Sequence, residues 1–175
     1  LCHHPGVDEL HITGADRTYE AIVFGAGADG HGRKLRDEPI LHKPFSAELG
    51  NITPIIVLPG RWSRADLEYQ ADNIATMLTN NAGFNCTTVR AIITHAGWPQ
   101  REALLDGIRR RLAATAPRVA FYPGAAARFA AFLADHPTAE SIGTPGEGEL
   151  PWLLIPGLDP SVTDDPCFRV EAFCS

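Results

Sequence analysis

The sequence predicts an α/β fold. Short apolar stretches of strand length alternate along the chain with longer stretches of helical periodicity, and glycine and proline separate many of them. The chain has 175 residues, 45% of them hydrophobic and 21% charged, which is typical of a soluble globular domain. It contains no internal repeat and no apolar run of membrane-spanning length.

The first part of the chain predicts two strands, one helix and a long loop. Residues 7–13 alternate apolar and polar side chains like a short strand, and residues 16–24 have the pattern of a short helix. Residues 25–46 predict a loop, because repeated Gly and Pro break any long element. Residues 52–58 form an apolar run of the length of a buried strand, which Pro59 and the following glycine end.

The middle of the chain predicts two long helices around a strand. Ser63 and Asp66 have the spacing of a helix N-terminal cap, so we expect a helix from residue 64 to about residue 80. Residues 87–94 predict the next strand. Pro99 then begins a second amphipathic helix, whose apolar residues recur at core spacing.

The last third predicts one helix and two strands. Residues 125–134 are rich in Ala and favour a helix. Residues 152–155 and 168–173 are typical of strands, and the segment between them is rich in turn residues.

Charge and cysteine content exclude several functions. The formal net charge is −6, from 15 basic and 21 acidic residues, and the only basic cluster is 109–111 within a predicted helix. This argues against nucleic acid or an anionic membrane as a partner. No signal peptide is recognisable, and four cysteines without a CxxC motif favour reduced thiols and a cytoplasmic location. The chain lacks an initiator Met at Leu1, so we expect a piece of a longer protein.

Two patterns suggest sites that the surrounding sequence does not support. Residues 25–30 match the G-x-G-x-x-G pattern of a dinucleotide-binding turn, but residues 31–39 do not predict the helix that must follow it. His3, His4 and His11 have no partner spaced to complete a tetrahedral metal site, so we expect no metal.

Two reactive side chains lie beside glycine at the ends of predicted elements. Glu48 stands two residues before Gly50, and Cys86 follows the long predicted helix by a short Gly-containing segment. A thiol at such a junction can act as a nucleophile, with nearby backbone amides stabilising an oxyanion. A carboxylate there can act as a general base towards water.

These segments resemble the NAD(P)-dependent aldehyde dehydrogenase superfamily. Residues 48–54 (ELGNITP) are similar to its E-L-G-G general-base segment, and residues 81–86 (NAGFNC) to its N-x-G-Q-x-C nucleophile segment. Residues 11–15 (HITGA) resemble F-T-G-S, and residues 171–175 (EAFCS) resemble the start of E-x-F-G-P. The four segments occur in the family's order, and Asn51, Phe84 and Cys174 are the departures from it.

The resemblance implies oxidation of a small-molecule aldehyde to a carboxylic acid with NAD or NADP. Cys86 would attack the aldehyde, and Glu48 would activate the water that hydrolyses the resulting thioester. Its implied cofactor-binding residues are Thr13, Gly14, Leu49, Gly50, Glu171 and Phe173.

The resemblance also implies a domain organisation. Residues 1–47 would be the tail of a nucleotide-binding domain with its connecting loop. Residues 48–175 would be most of a catalytic domain with a three-layer sheet and flanking helices, truncated at both ends. The full-length parent would be a homo-oligomer.

Two other functions stay open at the level of sequence. The chain could be a catalytically inactive fragment that serves assembly. It could also be a cofactor-independent thiol esterase that uses Cys86, with His95 as a partner only if the fold brings them together.

Overall fold

The structure is a computed structural model that describes all 175 residues. The chain divides into two compact units, Leu1–Gly50 and Asn51–Ser175. None of its helices combines the length and the apolar composition that crossing a bilayer requires.

The first unit contains a parallel strand pair and two helices. Strand β1 (Leu10–Gly14) pairs with strand β2 (Phe45–Leu49) over their full lengths. The connection contains helix α1 (Asp16–Phe24), as predicted, and helix α2 (Gly27–Leu35). The crossover is therefore helical, which is how parallel neighbours are usually connected.

The prediction of a loop over residues 25–46 is wrong, since it contains α2 and the start of β2. Gly30 is the only buried residue of helix α2, so this helix needs few apolar side chains. Gly30 packs against the preceding turn so closely that a Cβ atom there would lie 1.7 Å from the carbonyl oxygen of Gly25. Lys34 also forms an ion pair with Glu20 of α1. The turn at Gly25 joins helix to helix, whereas a dinucleotide-binding turn joins strand to helix.

The second unit begins with a β-α-β-α order. Strand β3 (Thr53–Val57) precedes helix α3 (Arg64–Leu78), and strand β4 (Val89–Thr94) precedes helix α4 (Arg101–Ala114). Strands β3 and β4 are parallel neighbours. All four elements lie where the sequence predicts them, with ends shifted by no more than about two residues.

The main core of the second unit lies between these strands and helices. The side chain of Ser63 accepts from the Asp66 amide and the Asp66 carboxylate accepts from the Ser63 amide, which confirms the predicted cap of α3. Leu104 and Ile108 of α4 are completely buried. The buried members of this core are Val57, Ala71, Ile74, Ala75, Trp98, Leu104, Ile108, Leu112 and Trp152.

The rest of the second unit consists of short strands and two helices. Helix α5 (Ala125–Asp135) matches its prediction. The other elements, numbered with it in chain order, are β5 (Arg118–Val119), β6 (Glu140–Ile142), β7 (Glu149–Leu150), β8 (Trp152–Leu154) and α6 (Pro166–Arg169). Strand β5 pairs with β7, and β6 pairs with β8, both antiparallel.

The predicted strand over residues 168–173 is wrong. The Asp165 side chain accepts a hydrogen bond from the Cys167 amide and caps the single turn of α6. Pro166 occupies the first helical position, where its missing N–H costs nothing. Beyond Arg169 the backbone forms no strand, and Phe173 has a φ of 43°.

Candidate active site

Four of the predicted site residues lie together at one end of the parallel pair in the first unit. Thr13 is opposite Glu48, and Gly14 is opposite Leu49, at the carboxyl ends of β1 and β2. The Thr13 hydroxyl donates to Glu48 Oε2 over 3.4 Å. Gly50 follows directly, and the Glu48 side chain is exposed. Carboxyl ends of parallel strands are where α/β proteins bind their ligands.

The segment before Cys86 has an unusual backbone. A short 3-10 turn, Asn80–Gly83, follows α3, and Asn81, Ala82 and Gly83 all have positive φ. The Asn81 side-chain amide donates to the Phe84 carbonyl over 2.9 Å and closes this turn. Consecutive left-handed residues are costly, and surrounding contacts must hold them.

Cys86 itself lies in the turn that leads into β4 and is half-buried. Its Sγ is 3.7 Å from Asn85 Oδ1, which also accepts from the amide and hydroxyl of Thr87. The Thr53 hydroxyl, on β3, donates to the Cys86 carbonyl over 3.0 Å. The backbone of Cys86 is therefore tied to the neighbouring strand, and the residue keeps part of its surface exposed to solvent.

Arg90 joins the Cys86 segment to the last residues of the chain. Its two terminal nitrogens donate to the carbonyls of Gly83 and Cys174, the latter over 2.8 Å. Burial lowers the pKa of Arg90, and the neighbouring Cys174 and Glu171 oppose that shift. Because Arg stays charged at neutral pH, these are charge-assisted hydrogen bonds inside the protein.

A second arginine fixes the segment that contains Phe173. Arg128 of α5 donates to the carbonyls of Ala172 and Phe173 over 3.0 and 2.8 Å. The Phe173 ring lies 5.8 Å from the Phe84 ring and 4.8 Å from the Tyr122 ring, both edge-on. The structure thus brings predicted residue Phe173 against the residue two positions before Cys86.

Glu171 contains a buried acceptor without a partner. Its Oε1 is shielded from solvent and makes no hydrogen bond within the chain. A buried carboxylate oxygen is normally satisfied, so this atom lacks a donor, just as Nε of the neighbouring Arg90 lacks an acceptor.

The predicted residues therefore form two groups, one in each compact unit. Thr13, Gly14, Glu48, Leu49 and Gly50 belong to the first unit, and Cys86, Glu171 and Phe173 to the second.

Sequence reasoning missed Thr53, Arg90 and Arg128, which fix the Cys86 and Phe173 segments through backbone carbonyls. Of these three, only Arg90 could have been noticed in the sequence, since it is a charged residue within a mostly apolar strand.

The structure does not support a Cys86–His95 dyad. Cys86 precedes β4 and His95 follows it, so the two lie at opposite ends of a six-residue strand. Such a strand is about 20 Å long. The His95 ring is exposed and accepts from the Gly97 amide instead.

Comparison with known proteins decides the family. A sequence profile of the aldehyde dehydrogenase family matches residues 1–117, which is two thirds of the chain. The chain belongs to this family. The match includes the Glu48 and Cys86 segments, whereas Glu171 and Phe173 lie beyond it. No protein of established function matches the sequence closely enough to add to this assignment.

Solved aldehyde dehydrogenases share the fold. Succinate-semialdehyde dehydrogenase from Burkholderia pseudomallei superposes with a TM-score of 0.68 at 19% identity, over 99% of this chain and 35% of that one. Betaine aldehyde dehydrogenase from Staphylococcus aureus, solved with NAD+, superposes with a TM-score of 0.67 at 15% identity, over 96% of this chain and 33% of that one. The predicted α/β fold of this family is confirmed, and the chain spans about a third of the length of these enzymes.

NAD(P) dependence is a property of the family to which the chain belongs. The unpartnered Glu171 oxygen fits such a cofactor, because ribose hydroxyls are the kind of donor it lacks. The expected cytoplasmic location, homo-oligomer and domain boundary at residues 47 and 48 stay predictions.

Proposed function

We propose that this chain contributes the nucleophile and the general base of an enzyme that oxidises an aldehyde to a carboxylic acid with NAD or NADP. The observation that carries the proposal is the Cys86 segment. It lies within the residues that match the family, its backbone carbonyl accepts from Thr53, and Cys86 is only partly buried.

Cys86 is the proposed nucleophile. Its sulfur attacks the aldehyde carbonyl carbon, the thiol proton leaves to solvent, and the carbonyl oxygen becomes the oxyanion of a thiohemiacetal. The backbone N–H of Cys86 supports that oxyanion. NAD or NADP, when bound, would supply the hydride acceptor for oxidation of this adduct to a thioester on Cys86.

Glu48 is the proposed base of the second half of the reaction. Its carboxylate takes a proton from water as the water attacks the thioester and the C–S bond breaks, which releases the carboxylic acid and the Cys86 thiolate; Glu48 then returns its proton to the thiolate or to solvent. The contact with the Thr13 hydroxyl supports this role, since it restricts the rotation of the carboxylate.

The proposed cofactor contacts are the residues that the family resemblance implies. Thr13, Gly14, Leu49 and Gly50 would hold the cofactor beside Glu48. Glu171 would accept from ribose hydroxyls, and Phe173 would contact the nicotinamide ring. The two arginines that bind carbonyls on either side of the Phe173 side chain support its fixed position.

Trapping of the acyl intermediate tests the proposal. The full chain is incubated with an aldehyde and NAD+ or NADP+, the acid is quantified, and the acyl group is located by peptide mass spectrometry. We expect Glu48→Gln to accumulate the thioester on Cys86 and to release acid about 100-fold more slowly, because the general base is missing. Glu9→Gln, also on an exposed carboxylate of the first unit, should match the unmutated chain.

Three outcomes would contradict the proposal. Acid formation that survives Cys86→Ala would exclude the nucleophile. Hydrolysis of an activated ester that needs Cys86 but never NAD(P), without aldehyde oxidation, would favour the thiol esterase. Absence of acid and of any acyl group on Cys86 would favour an inactive chain that serves assembly.

A further inference from the structure

Three side chains that commonly bind metals converge near the end of α5. His136 follows this helix, and Asp165 and Cys167 lie at the start of α6. The Nε2 atom of His136 is 3.1 and 3.2 Å from the two Asp165 carboxylate oxygens and 3.7 Å from Cys167 Sγ. The His136 and Asp165 side chains are only 10% and 16% exposed. None of the three takes part in the proposed aldehyde chemistry.

The orientation of the His136 ring is fixed from its other side. Its Nδ1 atom lies 2.9 Å from the Phe132 carbonyl oxygen, which can only accept, so Nδ1 is the protonated nitrogen. Against the opposing effect of burial, the Asp165 hydrogen bond raises the pKa of His136, so Nε2 of the protonated ring donates to that carboxylate, and a metal ion must displace this proton before Nε2 can ligate it. An Nδ1–H bond to a backbone carbonyl is the usual support of a histidine that ligates a metal through Nε2.

Two of the three edges between the ligand atoms, His136 to Asp165 and His136 to Cys167, have the length expected around a tetrahedral ion. Zinc lies about 2.0–2.1 Å from N and O ligands and about 2.3 Å from S, which makes the N···O edge about 3.3 Å and the N···S edge about 3.6 Å. The corresponding distances here are 3.1 and 3.7 Å, and all three ligand atoms lie within 4.8 Å of one another. The Asp165 carboxylate is also held by the Cys167 amide over 2.8 Å.

We propose that His136, Asp165 and Cys167 form a binding site for one zinc ion, with a water molecule in the fourth position. A mixed set of nitrogen, oxygen and sulfur donors suits zinc, whereas magnesium and calcium take oxygen ligands. Burial and the Asp165 carboxylate raise the pKa of the free Cys167 thiol to about 12, so the thiol proton must pass to a buffer base as the Zn–S bond forms.

The ion would hold helix α5 to the end of the chain at a second point. Arg128, in the first turn of α5, already binds the carbonyls of Ala172 and Phe173. His136, at the other end of the helix, would be joined through the ion to Asp165 and Cys167. Zinc binding would therefore stabilise the segment that leads to Glu171 and Phe173, whether or not the proposed oxidation takes place.

Zinc titration of the reduced, chelator-treated full chain tests this proposal. The run Cys2-His3-His4 supplies other Cys and His donors, so the titration uses a parent with Cys2→Ser, His3→Gln and His4→Gln. We expect one Zn²⁺ per chain by calorimetry, with the affinity at least tenfold weaker in Cys167→Ser and in His136→Gln. Cys86→Ser is the matched control and should leave the zinc affinity unchanged.

A second readout does not depend on the variants folding. Co²⁺ added to the parent should give a thiolate-to-cobalt charge-transfer band together with the visible bands of a tetrahedral ion. The proposal would be overturned by a parent that binds no zinc, by a Co²⁺ complex without the thiolate band, or by zinc binding that is lost with Cys86→Ser and kept with Cys167→Ser.

Discussion

At the scale of single residues, Cys86 is positioned by backbone contacts rather than by a charged partner. Thr53 has one hydroxyl proton, and both Asn51 Oδ1 and the Cys86 carbonyl lie within its reach. That proton can satisfy only one of the two acceptors at a time. Thr53 therefore holds either Asn51, in the segment after Glu48, or the carbonyl of the proposed nucleophile, but not both at once.

Replacing Thr53 tests the contribution of this hydroxyl. We expect Thr53→Val to lower the free energy of unfolding by about 1 kcal/mol, since the half-buried carbonyl loses its donor. Thr53→Ser keeps the hydroxyl and should lose less. Urea denaturation measures both. If Thr53→Val and the unmutated chain are equally stable, the hydrogen bond from Thr53 does not contribute to the free energy of unfolding.

Gly83 is the residue where the Cys86 segment passes closest to the end of the chain. It has a φ of 81°, and a Cβ atom there would lie 2.2 Å from the Cys174 carbonyl oxygen. Gly83→Ala should therefore lower the free energy of unfolding by more than about 2 kcal/mol, from backbone strain plus a clash with backbone.

A substitution at Gly157 separates the cost of backbone strain from the cost of the steric clash. The φ of this glycine is 75°, but nothing lies within 4 Å of the Cβ position. Gly157→Ala should cost only the backbone strain, about 1 kcal/mol. If urea denaturation gives Gly83→Ala and Gly157→Ala the same free energy of unfolding, the result would contradict the close approach of Gly83 to the Cys174 carbonyl.

At the scale of elements, the cap of α3 gives a prediction about pH. Hydrogen bonds from the Ser63 hydroxyl and amide lower the pKa of the Asp66 carboxyl. A lowered folded-state pKa adds stability above the unfolded value of about 3.9, and that stability is lost as the pH falls through the folded value. Asp66→Asn should thus lower the melting temperature at pH 7, and the difference should shrink below about pH 4.

The comparison with Ser63→Ala checks this assignment. Without the serine hydroxyl the helix loses part of its cap at every pH, at a cost of about 1 kcal/mol. A difference between Asp66→Asn and the unmutated chain that stays constant from pH 7 to pH 3 would exclude the titration of Asp66 as the cause.

Helices and strands could be predicted from the sequence where hydrophobic periodicity and helix-capping residues agree. Helix α3 begins where Ser63 and Asp66 predict, because both signals are local. Helix α2 was missed because an exposed helix needs few apolar residues. Its packing against the turn at Gly25 depends on Gly30, and hydrophobic periodicity does not reveal the role of a glycine. The strand predicted over residues 168–173 failed because Asp165 and Pro166 begin a helical turn, and two arginines bind the following carbonyls.

At the scale of the whole molecule, the order of four short segments predicted the family, and the profile match and the shared fold confirm it. The strand register places Thr13 opposite Glu48, but their roles as cofactor contact and general base stay predictions of the sequence. The sequence could not predict the arginine contacts, because Arg90 and Arg128 reach carbonyls more than forty residues away. The cluster of His136, Asp165 and Cys167 was missed because His136 lies about thirty residues before the other two.

The four cysteines have different surroundings, and this allows one measurement across the whole chain. Cys174 is 1% exposed, and burial raises its pKa. Burial likewise raises the pKa of Cys167 to about 12. Cys2 lies near the N-terminus and serves as the reference for a thiol without a catalytic setting. Because the thiolate is the reactive form, alkylation rates report which of these thiols is activated.

Peptide-resolved alkylation with iodoacetamide, at several pH values near neutrality and with a chelator present, tests the central role of Cys86 most directly. We predict that Cys86 reacts fastest, ahead of Cys2 and at least tenfold faster than Cys167 and Cys174. Cys86 reacting no faster than Cys2 would contradict its assignment as the nucleophile.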